Sequence, residues 1–325
     1  MWQRSNRPLK ALGLAAVFSL LTAAVAMAAT IIGTPGPDTL NGTSGPDRIN
    51  ARAGDDKVFA HAGRDRVFGG AGNDQLQGGR GRDTVRGGVG DDVVRGGRGG
   101  APGHRLDRLF GNAGNDTAFG GRGADFIAGN AGDDSLNGNG GRDRIFGGLG
   151  NDTVNGGPGV ARRAQNGKGR FGDRLHGGPG NDAVNGGSGR DRMSGGIDDD
   201  VQRGNGGNDL IFANRGRDKS FGGNGNDVLW ALAKADVESP GDPNGDELDG
   251  GAGNDRFRVR DGEADKITCG DGQDTVRADQ FDVITDATAE DPTGSCERVD
   301  RKDASTESDD PENRTEAPAE DNEES

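Results

Sequence analysis

The chain has no tyrosine, and only 12 Phe, 2 Trp, 3 His and 2 Cys in 325 residues. Apolar residues make up 30% of it and aromatics 4%, too little to enclose a thick hydrophobic core. The histidines, at 61, 104 and 176, form no H-E-x-x-H pair, so a zinc-protease centre has no ligands. No G-x-S-x-G elbow presents a serine nucleophile, and no G-K-[ST] follows the glycine-rich stretches to hold a phosphate. Basic residues are outnumbered 39 to 54, and a net charge of −15 argues against nucleic acid as a partner. No segment has the length of a separate catalytic domain. A non-catalytic protein is expected.

Glycine and aspartate are what the chain has in excess: 64 Gly, and 43 Asp against 11 Glu. Asp is a poorer helix former than Glu and competes for backbone hydrogen bonds in turns, which excludes a helical bundle and a Rossmann-type layered fold. At the N-terminus Arg4, Arg7 and Lys10 precede an apolar run from Ala11 to Ala26, with small residues at Ala24, Ala26 and Ala28. That pattern predicts a signal peptide over 1–28 and hence a secreted, extracellular protein; a retained anchor is the alternative reading.

From Gly33 the sequence repeats every nine residues, as in GTPGPDTLN, GTSGPDRIN, ARAGDDKVF, AHAGRDRVF and GGAGNDQLQ. Gly favours the first, second and fourth places, Asp the sixth and an apolar residue the eighth, with Ala118, Gln202 and Ser220 as lapses. Such a unit reads as a six-residue turn and a three-residue strand, the eighth residue inward and the seventh and ninth outward. Two units close one coil of a flattened solenoid with parallel strands stacked about 4.8 Å apart, a rod roughly 60 Å long. One buried side chain per unit offsets only part of the entropy lost in ordering nine residues. Each edge of the coil also stacks carboxylates that cannot all stay ionised without a cation between them. Ca²⁺ suits an irregular shell of carboxylate and carbonyl oxygens, and binding would then be coupled to folding.

The units GGAGNDQLQ (69–77), GGLGNDTVN (147–155) and GGNGNDVLW (222–230) fit GGxGxDxUx. Over residues 33–284 the chain resembles the haemolysin-type calcium-binding repeat of RTX proteins. The resemblance implies an all-β parallel β-roll with several Ca²⁺ ions held by sixth-place Asp carboxylates and backbone carbonyls of the turns. It departs from RTX proteins that carry a C-terminal secretion signal.

At the fifth place Asn or Asp alternates with Arg, so the true period is 18 and Arg is expected to collect along one edge of the roll. This divides the candidate ligands. Asp38, Asp56, Asp74, Asp92, Asp116, Asp134, Asp152, Asp182, Asp209, Asp227 and Asp255 form the first rank, expected to hold Ca²⁺ tightly. Asp47, Asp65, Asp83, Asp125, Asp143, Asp191 and Asp218 form the second, where Arg supplies part of the charge. The alternative is that fifth-place side chains only face solvent.

Three long units, 96–110, 156–176 and 231–249, fall where an Arg-type unit is due, which predicts loops from one edge only. The unit 195–203, with Asp198 in the fourth place and Gln202 in the eighth, is expected to be irregular. The roll is assigned to 29–258, divergent repeats and a cap to 259–300, and a disordered acidic tail to 301–325. Cys269 and Cys296 are expected to form a disulfide closing the open end, which contributes about 3.5 kcal/mol in the chain-entropy picture. Ninth-place Phe59, Phe68, Phe110, Phe119, Phe146, Phe212, Phe221 and Trp230 would face outward. They are the basis for an alternative role in surface or matrix adhesion.

Overall fold

The computed structural model describes residues 28–99, 106–158, 172–231, 241 and 243–302, and among them there is no helix. The signal-peptide expectation (apart from Ala28), His104, the bodies of the three insertions and the acidic segment beyond Lys302 lie outside the described residues.

Strands alternate between two fourteen-stranded parallel sheets. The first runs through Thr30–Ile32, Arg48–Ala53 and Arg66–Ala71 and ends at Arg298–Arg301; the second begins with Thr39–Asn41 and ends at Val283–Ile284. Eighth-place residues stack in register, Ile49 on Val67 on Val85 on Leu109 in one sheet and Val58 on Leu76 on Val94 in the other. They belong to one thin buried core between the sheets. This is the parallel β-roll that the nine-residue period predicts.

Most strands are twice as long as expected, at six or seven residues. Arg66–Ala71 spans the seventh to ninth places of one unit and the first three of the next, with alternating burial throughout. Glycine pairs read as turn in the sequence but extend the ladder here, with the second glycine of the pair at positive φ, as in Gly88 (φ +140) on Thr84–Val89. Packing is tight in the turn just beyond such a strand too, where a Cβ on Gly207 (φ +141) would overlap the carbonyl oxygen of Gly189 in the preceding coil. Gly207→Ala should therefore cost about 3 kcal/mol or more, combining a strained φ with a clash that the ladder cannot relax. Denaturant unfolding of the Ca²⁺-loaded variant would measure this.

The unit 195–203 stays in register, Gln202 pairing between Val184 and Ser220. Its irregularity is local: Asp198 takes a positive φ of 79°, and buried Gln202 donates from Nε2 to the Phe212 carbonyl at 2.8 Å. At the far end Cys269 and Cys296 are disulfide-bonded and buried, Cα–Cα 5.3 Å, as expected.

Candidate metal centre

Every turn places its sixth-place Asp at an edge of the roll with the side chain folded inward. The backbone N–H of Asp56 donates to Oδ1 of Asp74 at 2.8 Å, the N–H of Asp74 to Asp92 at 2.8 Å, and the N–H of Asp92 to Asp116 at 2.8 Å. One such column runs along the first edge through Asp38, Asp56, Asp74, Asp92, Asp116, Asp134, Asp152, Asp182, Asp200, Asp218, Asp246, Asp265 and Asp282. The second edge carries Asp47, Asp65, Asp83, Asp107, Asp125, Asp143, Asp173, Asp191, Asp209, Asp227, Asp255 and Asp274. That column ends on Glu297, whose Oε2 accepts the Asp274 N–H at 2.6 Å.

Three expectations about the edges fail on this topology. Asp209, Asp227 and Asp255, ranked with the first set, stand on the second edge, and second-rank Asp218 stands on the first. Arg does not keep to one edge. The fifth-place Asn and Asp form their own ladder, in which the Asn73 N–H donates to Asp55 Oδ1 and the Asp91 N–H to Asn73 Oδ1, both at 2.9 Å. It follows the first edge as far as Asp199, which accepts from Arg217 N–H at 2.9 Å. It resumes on the second edge as Asn208, Asn226 and Asn254. The third insertion, which returns at Asp246, accordingly leaves from the first edge, and the other two, returning at Asp107 and Asp173, from the second. A local stacking preference between like neighbours sets the fifth place, and it can change edge without disturbing the sixth.

Asp107, Asp173, Asp200, Asp246, Asp265, Asp274 and Asp282 were not among the candidate ligands. Each shows the same signal, an Asp two residues before the eighth place. Gln202 follows Asp200, and the others precede an apolar residue.

The second carboxylate oxygen makes the column chemically unusual. In Asp56, Asp74, Asp92, Asp116, Asp134, Asp152, Asp182, Asp209, Asp227 and Asp255, and in Asp65, Asp83, Asp125, Asp143 and Asp191, Oδ2 is buried without a hydrogen-bond partner. Such an orphaned acceptor is costly unless something else occupies it. Glycine holds the space beside it open. A Cβ on Gly222 would sit 2.6 Å from Asp227 Oδ2 and 2.6 Å from the Gly250 carbonyl oxygen, and one on Gly120 2.8 Å from Asp125 Oδ2 and 2.9 Å from the Gly138 carbonyl. Carboxylate and carbonyl oxygens thus converge on one spot per turn. Among the described residues no three His, Cys, Asp or Glu side chains gather round a single point. An ion must therefore complete its shell with main-chain oxygens, which fits Ca²⁺ with its six to eight oxygen ligands.

Burial, and then the neighbouring carboxylates of the column, raise these pKa values. Asp74 is pushed up to about 6, Asp92, Asp134 and Asp182 to about 7, Asp107 and Asp143 to about 8, and Asp200 to about 9. A doubly charged cation would reverse the shift.

The first coil is different. Thr34 donates to Asp38 Oδ2 from its N–H at 2.6 Å and from its hydroxyl at 3.1 Å, and Thr43 does the same for Asp47 at 2.6 and 3.0 Å. Unlike the second-place Arg52 and His61 of the next coil, with φ of 84° and 73°, Thr34 and Thr43 are not in the positive-φ conformation. In Gly70, two coils on from Thr34, a Cβ would overlap the Arg52 carbonyl oxygen. Asp38 and Asp47, both expected to bind Ca²⁺, already have protein partners for the oxygen that the other turns leave bare.

The model of the RTX calcium-binding nonapeptide repeat matches residues 32–67, 68–100, 106–136, 128–160, 169–202 and 203–231. No curated protein matches the chain. With its columns of inward carboxylates along a parallel roll, the chain belongs to the RTX calcium-binding repeat family and is a Ca²⁺-binding repeat protein that takes several ions.

Proposed function

We propose that the protein is an exported, non-catalytic Ca²⁺ module whose roll folds as the ion is bound. The buried Oδ2 column carries this reading, because it leaves a row of bare carboxylate acceptors that divalent cations can satisfy together without protonating them. Extracellular modules of this kind work with sites of about 10⁻⁴–10⁻³ M, empty at cytosolic Ca²⁺ and filled outside the cell. The charged, apolar and small-residue pattern of residues 1–28 supports export. Apart from Asp38 and Asp47, the sixth-place Asp of both edges are the proposed ligands, joined by carbonyls such as those of Gly138 and Gly250. Domain boundaries follow: roll 29–258, cap 259–300 and acidic segment 301–325.

The test is an ion count by equilibrium dialysis. Wild-type protein should bind several Ca²⁺, and a chain binding none would end this reading. Asp74→Asn should lose about one ion, since it removes one carboxylate charge from a shell that needs it. Asp38→Asn and Asp47→Asn should lose none, because their Oδ2 atoms are held by Thr34 and Thr43.

A scaffold role in adhesion is the second reading, and the structure redistributes the aromatic residues that motivated it. Phe68, Phe110, Phe146, Phe212 and Trp230 lie on the first sheet and Phe59, Phe119 and Phe221 on the second, so they form no single stripe.

A further inference from the structure

The two edges of the roll differ in what they show to solvent. From Ala53 to Ile197 every third-place residue of the first edge is apolar, and Val89, Ala113, Ala131 and Leu149 stand beside one another on successive strands. Val89, Leu149 and Ile197 are 64%, 60% and 44% exposed. Next to this line the fifth-place ladder exposes Asp55, Asp91, Asp133 and Asp199, and no Lys or Arg occupies the third to fifth places of these turns. An exposed apolar line of this extent, bordered by polar groups, marks a contact surface.

On the second edge the same places are basic. Arg80 and Arg122 at the third place and Arg64 at the fifth are exposed, and fifth-place Arg82 is half-buried. From Ala62 to Arg190 the described third- and fifth-place residues of this edge include no carboxylate. The insertions follow the same division in their sequence. Between Pro158 and Gly172, the insertion of the second edge has Arg162, Arg163, Lys168 and Arg170 and no acid. Between Ala231 and Gly241, that of the first edge has Asp236 and Glu238 against Lys234.

We propose that folded rods pack side by side, the first edge of one copy against the second edge of the next. The complementary stretches span the same coils, with Asp55 and Arg64 in adjacent units of one coil. Two parallel copies therefore match along their length. Both rise by about 4.8 Å per coil, so a match made at one coil recurs at the others. A helix advances about 5.4 Å per turn and would fall nearly a coil out of step between Ala53 and Ile197. Arg stems can cover the apolar line while their guanidinium heads reach the fifth-place carboxylates. The contact joins unlike surfaces, so each copy keeps one edge free and the array stays open, a flat raft of rods. This inference goes beyond Ca²⁺ binding and needs only that the roll be folded.

Sedimentation velocity of the full chain at saturating Ca²⁺ tests it. The sedimentation coefficient should climb with concentration past that of a dimer, and added salt should reverse the climb. Val89→Arg, Leu149→Arg and Ile197→Arg combined block the first edge. Arg64→Asp, Arg80→Ala, Arg82→Asp and Arg122→Ala combined block the second. Each change installs a residue type that the opposite edge already carries at the same place, so the roll accommodates it. Either variant alone should associate about tenfold more weakly than wild type. The two mixed should form dimers and nothing larger, because only one pairing of intact edges remains. The bound Ca²⁺ count should not change, so failure here is distinct from failure of the calcium reading. A wild-type chain that stays monomeric at millimolar concentration or stops at a dimer would overturn the proposal. So would mixed variants that do not pair, or association that survives both sets of substitutions, as one driven by the apolar run from Ala11 to Ala26 would.

Discussion

Excess EDTA should strip the folded chain of nearly all its β circular-dichroism signal, and added Ca²⁺ should restore it in one cooperative step. The expectation follows from the architecture. The core is two facing lines of residues, such as Val67 and Val85 on one sheet and Leu76 on the other, with no further layer of apolar packing. Against it stand two columns of buried carboxylates, each with one oxygen in the ladder and, for most, the other bare. Without a cation, the fold must bury these groups charged and close together, or protonate them. Each ion would bridge neighbouring coils, so the filling of one turn should organise the next, as in other solenoids that propagate from neighbour to neighbour. Mg²⁺ should substitute poorly, because it demands near-octahedral geometry and gives up its water reluctantly. A chain that keeps its full β signal in chelator would show that the columns tolerate themselves.

Acid should partly replace the ion. The folded, cation-free columns hold protons up to about pH 7 at Asp92 and Asp134 and about pH 8 at Asp107 and Asp143. An unfolded Asp releases its proton near pH 3.9. Between those limits the folded state binds more protons than the unfolded one, so stability of the cation-free rod falls as pH rises. In chelator, β signal should accordingly be stronger at pH 5 than at pH 8. Ca²⁺ acts in the opposite sense, because its ligands must be deprotonated. Each proton displaced weakens binding about tenfold per pH unit below the raised pKa. The Ca²⁺ midpoint should move to higher concentration from pH 8 to pH 6, with proton release on binding. Dichroism-monitored titrations at the two pH values would measure both trends, and a midpoint independent of pH would contradict them.

Much of this was legible in the sequence, because the roll writes its geometry into a short period. An apolar residue every nine positions marks the inward line, and an Asp two residues before it marks the turn. The same rule recovers Asp107, Asp173 and Asp246 after insertions of unequal length. Two things were less visible. Glycine at the first and second places carries the ladder onward, so strands such as Arg66–Ala71 exceed the three residues that β-forming side chains announce. The edge of a given turn depends on the parity of units from the start of the roll. The fifth-place residue, which favours stacking on its own kind, follows that parity only as far as Asp199.

The ladder of aspartates also gives the rod a grain. In most turns the amide of each Asp looks for its acceptor in the coil that follows, as Asp56 does in Asp74 and Asp74 in Asp92. A growing end always presents bare donors until another coil arrives, and on the second edge Glu297 brings that sequence to a stop. The opposite end needs no such stopper, since Thr34 and Thr43 already quiet the first carboxylates. Assembly therefore has a finished beginning and an open front, the polarity suited to a polypeptide that becomes available from its N-terminus onward.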